Sequence, residues 1–527
     1  MLIACVGDEP ATVDGGATDG GVSDGSAIAC TTSQDCPATA ATCTAGTCSP
    51  CAATQTPSDC ATFHPATPVC NAAGACVECN STGADAGASP DCASKTSTPF
   101  CGPNDTCVAC LTANDCTPQV CGTDNTCRDC QTNAECPAGA CGDDGKCVPG
   151  SMIAYVDNGA MSPATCSSTR LTKNGYTIAT AFCDITDAVG AKPYIVVIGR
   201  GATAPYSAII NLGGTTTIIG PGGSASPPAV IGGSLAVTND NCGIGTCLVK
   251  VTNPAATPGA VTVDGFEITS TNGSIYGVEC SANAASQSFR LRNSYIHDVH
   301  GDALYNTKCD LTIEDNQIAG TDTRAVEDFN SGSVPTYVIE RNVFGGGGGD
   351  GVYVTTANLT FDRNVVSNYT NGAGLQVNGG TYRVTNSFFF LNKYGLDFNI
   401  SAGPGQVFQF NTVVRNTMYA FQNCPALLES SIVVENIDAP NSTSACTTDH
   451  VVTDGANMPA FVNDTVASSY DFHLATDTSA HLTANTACCI DKVPPTFDAG
   501  APLSDHDYDG TTRPKGAGYD IGAHEAK

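Results

Sequence analysis

Glu314, Glu340 and Asp362 stand 26 and 22 residues apart, and each lies two residues before an asparagine (Asn316, Asn342, Asn364). Carboxylates that recur at one point of a strand repeat stack on neighbouring strands about 4.8 Å apart. At that distance two ionised groups repel by about 3 kcal/mol at an effective dielectric of 20. Three chemistries relieve the repulsion: a raised pKa that sets a general acid beside a base, a bound calcium ion, or neutralisation by the neighbouring Arg292, Arg341 and Arg363. Glu314, Glu340 and Asp362 are therefore candidates both for catalysis and for calcium binding, with Arg324 as a further catalytic candidate. A second recurring row, Glu279, Tyr305, Glu327, Tyr353, Gln376, Asp397 and Gln422, mixes acids, phenols and amides. Rings stack on the apolar faces of a sugar while carboxylates and amides bond its hydroxyls, so Tyr305, Glu327, Tyr353 and Asp397 are the expected binding residues. An ordinary wetted sheet has the same composition. His297, His300 and Asp302 cluster in one turn, where loop histidines are more often solvated than catalytic.

What must position these residues is a repeat. One phrase recurs as Leu291-Arg292-Asn293-Ser294, Ile313-Glu314-Asp315-Asn316, Ile339-Glu340-Arg341-Asn342, Phe361-Asp362-Arg363-Asn364 and Val384-Thr385-Asn386-Ser387, then as Phe410-Asn411-Thr412 and Leu428-Glu429-Ser430-Ser431. Measured at the closing polar residue, the steps are 22, 26, 22, 23, 25 and 19 residues. A second strand follows a small residue in each repeat, as at Ala303-Leu304, Ala325-Val326, Gly351-Val352 and Gly374-Leu375. Such a period marks a solenoid, in which each repeat buries its apolar face only against its neighbours. A leucine-rich repeat shares the period but needs a Leu-x-x-Leu-x-Leu frame and a helical return, and Gly345 through Gly349 would not form a helix. The sequence predicts an all-β chain whose main body is a right-handed parallel β-helix solenoid. Ser294, Asn316, Asn342, Asn364, Ser387 and Thr412 should stack as an internal polar ladder, and Asp264, Arg292, Glu314, Glu340, Asp362, Thr385 and Asn411 should face out.

Residues 151–527 resemble the pectate-lyase-like β-helix superfamily, both in these repeats and in the strand-and-turn opening from Tyr194 to Gly223. Its polygalacturonase-like members carry Asn-Thr-Asp, Asp-Asp, Gly-His-Gly and Arg-Ile-Lys signatures, none of which occurs in residues 150–527. Its lyases use calcium-binding acids with an Arg or Lys base that takes a proton beside a uronate carboxylate, a role that would fall to Arg324. Arg513-Pro514-Lys515-Gly516 and Asp520-Ile521-Gly522-Ala523-His524-Glu525 look like the closing motif of secreted bacterial β-helix proteins. Ile521 and Ala523 would complete the final coil, with Asp520 paired to Arg513. Asp505-x-Asp507-x-Asp509-Gly510 begins like an EF-hand loop but has no Glu at the twelfth position.

Upstream, residues 30–149 hold 20 of the 31 cysteines in five four-cysteine units that open at Cys30, Cys51, Cys79, Cys110 and Cys130. The last two are the most regular: Cys110, Cys116, Cys121, Cys127, then Cys130, Cys136, Cys141, Cys147. An acid precedes the second cysteine of every unit, and Cys-x-x-Cys joins successive units. Zinc or redox chemistry could use Cys-x-x-Cys, but units this poor in apolar mass point to disulfides in place of a core, with three pairings open within each unit. The spacing resembles the Cys-rich stalks of secreted myxobacterial proteins. So many cysteines imply an oxidising compartment. Residues 1–29 read as a lipobox remnant followed by an acidic flexible linker, because Leu2-Ile3-Ala4-Cys5 resembles a bacterial lipobox with Cys5 as the lipidated residue. A net charge of −30 disfavours nucleic acid and anionic membrane surfaces, so membrane contact would come through that lipid alone. The reading that follows is a secreted or outer-membrane-anchored surface protein whose β-helix (150–527) binds a polysaccharide or cell-surface glycan. The alternative is a polysaccharide lyase or glycosidase working on the acidic face.

Overall fold

The computed structural model describes residues 28–52, 59–80, 90–157, 177, 180–198, 206, 210–221, 229–233, 246–253, 259–270, 275–282, 287–329, 334–401, 403–434, 436, 446–453, 465–466, 493, 506–514 and 519–523. Cys5, the linker to residue 27, Asp505, Lys515-Gly516 and His524-Glu525 lie outside them. From Thr216 to Phe421 the chain makes eight three-strand coils. Equivalent strands of successive coils pair in parallel to form three sheets. We call them A (Ile153–Val156 to Thr448–Asp449), B (Ala229–Gly233 to Thr465–Val466) and C (Ile210–Leu212 to Tyr419–Phe421). One coil, for example, runs Asp310–Glu314 in A, Gln317–Thr321 in B and Val326–Asp328 in C. No helix among the described residues is long and apolar enough to cross a membrane.

Alternation along each strand fills the interior. Leu291, Ile313, Ile339, Phe361 and Val384 are register partners on the inward side of sheet A, and all are fully buried. Phe344, Phe361 and Phe389 stack at centroid distances of 6.3 and 5.8 Å, each contributing about 1.5–3 kcal/mol of burial. The A–B corner is a single residue in the left-handed region: Gly265, Asn293, Asp315, Arg341, Arg363, Asn386, Phe410 and Ser430 have φ of 45–78°. That conformation costs about 1–2 kcal/mol outside glycine. The ladder beside it offsets the cost. The Ser294, Asn316 and Asn342 backbone N–H groups each donate to the next coil's side-chain oxygen (Asn316, Asn342, Asn364) at 2.9 Å. The series continues through Ser387, Asn411 and Ser431. Thus Asn411, not Thr412, is the internal rung, and Gln409, paired with Thr385, takes the outward place expected of Asn411. The rung slips by one residue and the outward place by two, because Phe410 occupies the corner and Thr412 already belongs to a sheet B strand. A second ladder, Asn392–Asn416–Asn436, lines the B–C corner. Ahead of one sheet C strand the backbones approach so closely that glycine is needed: a Cβ on Gly351 would lie 2.4 Å from the Gly374 carbonyl oxygen.

By its contacts the chain divides into two compact bodies, Met1–Cys130 and Gln131–Lys527. In the first, each four-cysteine unit joins its first cysteine to its third and its second to its fourth: Cys30–Cys43 with Cys36–Cys48, Cys51–Cys70 with Cys60–Cys76, Cys79–Cys101 with Cys92–Cys107, and Cys110–Cys121 with Cys116–Cys127. Sulfurs that lie within 4.8 Å of one another in each unit are therefore oxidised rather than thiolate ligands. The recurring acid is a cap. Asp35 accepts from the backbone N–H groups of Thr31 and Thr32 at 2.8 Å, which pulls its carboxyl down to about 2, and Asp115 does the same for Leu111 and Thr112.

The second body begins with a cysteine module of its own, held by Cys136–Cys147, with Cys130 and Cys141 also oxidised. Its Ala140 and Val148 pack with Ile153, Val196 and Ile219 at the start of sheet A. At the other end, Tyr508 meets Phe388 edge-on at 4.9 Å, and Ile521 packs with Phe410, Val414, Ile432 and Val434. Arg513 lies over the Phe410 ring and donates to the carbonyl oxygens of Asp520 (3.1 Å) and Gly522 (2.8 Å). The closing motif is thus a strap across the outward side of sheet B rather than the completion of a final coil. Phe388 and Ile432 are apolar outward residues that need such a cover.

Candidate functional site

On the outward side of sheet A, Glu314, Glu340 and Asp362 are register partners, as their spacing predicts. Guanidinium groups interleave with them. Glu314 pairs with Arg290 at 2.8 Å and Arg341 at 3.9 Å, Glu340 with Arg341 at 2.9 Å and Arg363 at 3.9 Å, and Asp362 with Arg363 at 2.8 Å. Asp362 also accepts from the Thr385 hydroxyl and the Asn386 amide. The arginines supply the positive charge that a cation would otherwise bring, so this row does not fit a calcium site. The series reaches upstream to Asp264, which takes Arg292 at 3.1 Å and the Asn133 amide at 2.6 Å, and to Asp143, which takes Arg290 at 2.8 Å.

Arg324 is not part of that row. It sits in the turn that enters sheet C, and its guanidinium bonds Glu327 at 2.7 Å and Asp350 at 3.1 Å while lying 4.4 Å over the Tyr353 ring. The four catalytic candidates therefore do not form one site. Arg324 instead joins the expected binding residues, since Tyr305, Glu327, Tyr353, Gln376 and Asp397 are register partners on sheet C and Glu279 precedes Tyr305. The structure adds a column that alternation could not reveal: Asp302, Arg324 and Asp350 each stand one residue before the small residue that opens a sheet C strand. Asp302 is 2% exposed and accepts from the Arg324 backbone N–H at 2.9 Å and from the Thr323 hydroxyl. Burial, with a hydrogen bond to Asp302 and that group's charge, pushes Glu327 up to about 7. Glu327 therefore holds its proton up to near neutral pH.

Tyr305 was expected to be exposed but is 7% exposed, with its ring between Tyr276 and Phe329 at 6.5 Å from each. Burial and the carboxylates of Glu327, Glu279 and Asp302 push its phenol up to about 12. Phe329, 63% exposed, is the ring that meets solvent. Asp397 lies further along the sheet, almost buried, and accepts from the Asn423 and Asn399 amides at 2.7 and 3.0 Å. His297 ends the sheet B strand Tyr295–His297 rather than lying in the turn, and both histidines are held: His297 lies between Glu267 and Asp298, and His300 bonds Asp322. The sheet C group offers a carboxyl raised toward neutral pH, a guanidinium and ring faces within one patch. No family model, curated protein or solved structure matches this chain.

Proposed function

We propose that this is a secreted or lipid-anchored surface protein whose β-helix binds a glycan on the outward side of sheet C. The observation that carries the reading is the grouping of Tyr305, Phe329 and Tyr353 with Arg324, Glu327 and Asp350. Sugars present C–H faces to rings and hydroxyls to charged side chains, and both kinds of partner are here. Disulfide-linked modules favour an oxidising, extracellular setting. Cys5 would carry the lipid, and mass spectrometry of the mature N-terminus tests it. A coil with stacked asparagines supports kinship with the pectate-lyase-like superfamily. The binding test is retention on a panel of insoluble polysaccharides. Phe329→Ala combined with Tyr353→Ala should reduce retention at least tenfold while circular dichroism is unchanged; full retention would sink the proposal.

Glu327 favours a second reading, glycosidic bond cleavage, because a carboxyl near 7 can donate a proton at neutral pH. Two-carboxylate hydrolysis needs a second carboxyl free to act, whereas the acids beside Glu327 are engaged, Asp302 by the Arg324 backbone N–H and the Thr323 hydroxyl and Asp350 by the Arg324 guanidinium. Binding therefore ranks first. A reducing-sugar assay separates the two readings, and turnover that is lost in Glu327→Gln would establish the enzyme.

A further inference from the structure

Glu279 and Glu327 are the register partners of Tyr305 on either side, the charge of Asp302 raises the phenols of Tyr276 and Tyr305, and Asp350 joins the group through Arg324 at 3.1 Å. Two cations stand with them in the register and contacts of sheet C: Arg324, bonded to Glu327 and Asp350, and Lys250, the register partner of Glu279. Four acids against two bases leave a formal charge of −2 when Glu327 is ionised. The apolar side of the patch is equally specific. Phe329 presents its ring to solvent beside Tyr305, and Arg324 already shows that Tyr353 accepts a cation on its face. Carboxylates beside exposed ring faces form a cation-recognising surface, because the ring quadrupole and the acids attract the same charge.

We infer that the sheet C face selects a cationic glycan, one bearing free amino groups, over neutral or uronate-bearing glycans. The inference rests on the glycan-binding reading above. An ammonium group brings three donors and a positive charge to Glu327, Asp350 and the Phe329 ring. A neutral sugar can bond the same carboxylates but leaves their charge uncompensated, and a uronate adds to it. The amine competes with the proton that burial holds on Glu327, so its binding releases a proton.

The test is calorimetric titration of the full chain at pH 6 and low salt with three oligosaccharides of equal length: glucosamine, N-acetylglucosamine and galacturonic acid oligomers. The glucosamine oligomer should bind about tenfold more tightly than the acetylated one, with the uronate weakest. Raising salt to about 0.5 M should shrink the preference to below about threefold. Glu327→Gln with Asp350→Asn should do the same with circular dichroism unchanged, and Glu279→Gln serves if that pair unfolds. The heat should differ between buffers of unlike ionisation enthalpy, reporting the released proton. Equal or tighter binding of the acetylated oligomer overturns the amine preference and leaves the glycan face standing. No binding by any of the three overturns both.

Discussion

At the scale of single residues, position relative to the coil decides what a polar side chain does. Glu327 has its carboxyl raised from 4.5 to about 7, so the folded protein holds that proton more tightly than the unfolded chain. Its contribution to stability is complete below about 4.5 and is lost as pH rises through about 7. Glu327→Gln removes this dependence, so its unfolding midpoint should fall less than the native protein's between pH 4.5 and 8. Parallel curves for the two proteins would reject the raised Glu327 carboxyl. Asn342 is polar for the opposite purpose. It is fully buried, donates to the carbonyls of Ile313 and Glu340, and accepts from the backbone and side chain of Asn316. Asn342→Ala orphans those partners and should lower stability by roughly 2–4 kcal/mol, while exposed Asn358→Ala should change it by less than about 0.5 kcal/mol. Urea denaturation of the two variants checks the contrast.

At the scale of elements, sheet A reads directly from the sequence because its strands follow a strict alternation and its asparagine rungs recur two residues after Glu314, Glu340 and Asp362. Alternation stops at the turn into sheet C. Nothing in the period says where Asp302, Arg324 and Asp350 point, so their column was invisible and Arg324 was grouped with the wrong acids. Phe410 likewise hid the ladder's phase, since Asn411 and Thr412 are both polar and an aromatic residue rarely marks a left-handed corner. The sheet A ladder makes its own prediction. Arg341 binds Asp315 at 2.8 and 2.9 Å and reaches Glu340 and Glu314, so Arg341→Ala leaves three carboxylates without that partner. Stability should fall by about 1 kcal/mol at low salt, and the loss should largely vanish in 1 M salt. A loss independent of salt would mean that Arg341 acts through packing rather than charge.

At the scale of the whole second body, the segments before and after the coils cover outward apolar rows that the coils themselves leave bare. The strap residues 506–514 and 519–523 shield Phe388 and Ile432 on sheet B, and the module from 131 to 149 shields Val196 and Ile219 on sheet A. The module has little apolar mass, so its cover depends on Cys136–Cys147, a bridge worth about 2–4 kcal/mol in a chain this poor in core. The coils do not depend on it, because each is held by its neighbours through the inward rows and the asparagine ladder. Cys136→Ala with Cys147→Ala should therefore loosen the module without melting the sheets. Binding of an environment-sensitive apolar dye should rise, since Ile153, Val196 and Ile219 become accessible, while the β signal in circular dichroism persists. Cooperative loss of that signal would show instead that the solenoid needs its module to fold, and that the nearest-neighbour account of the coils is wrong at this end.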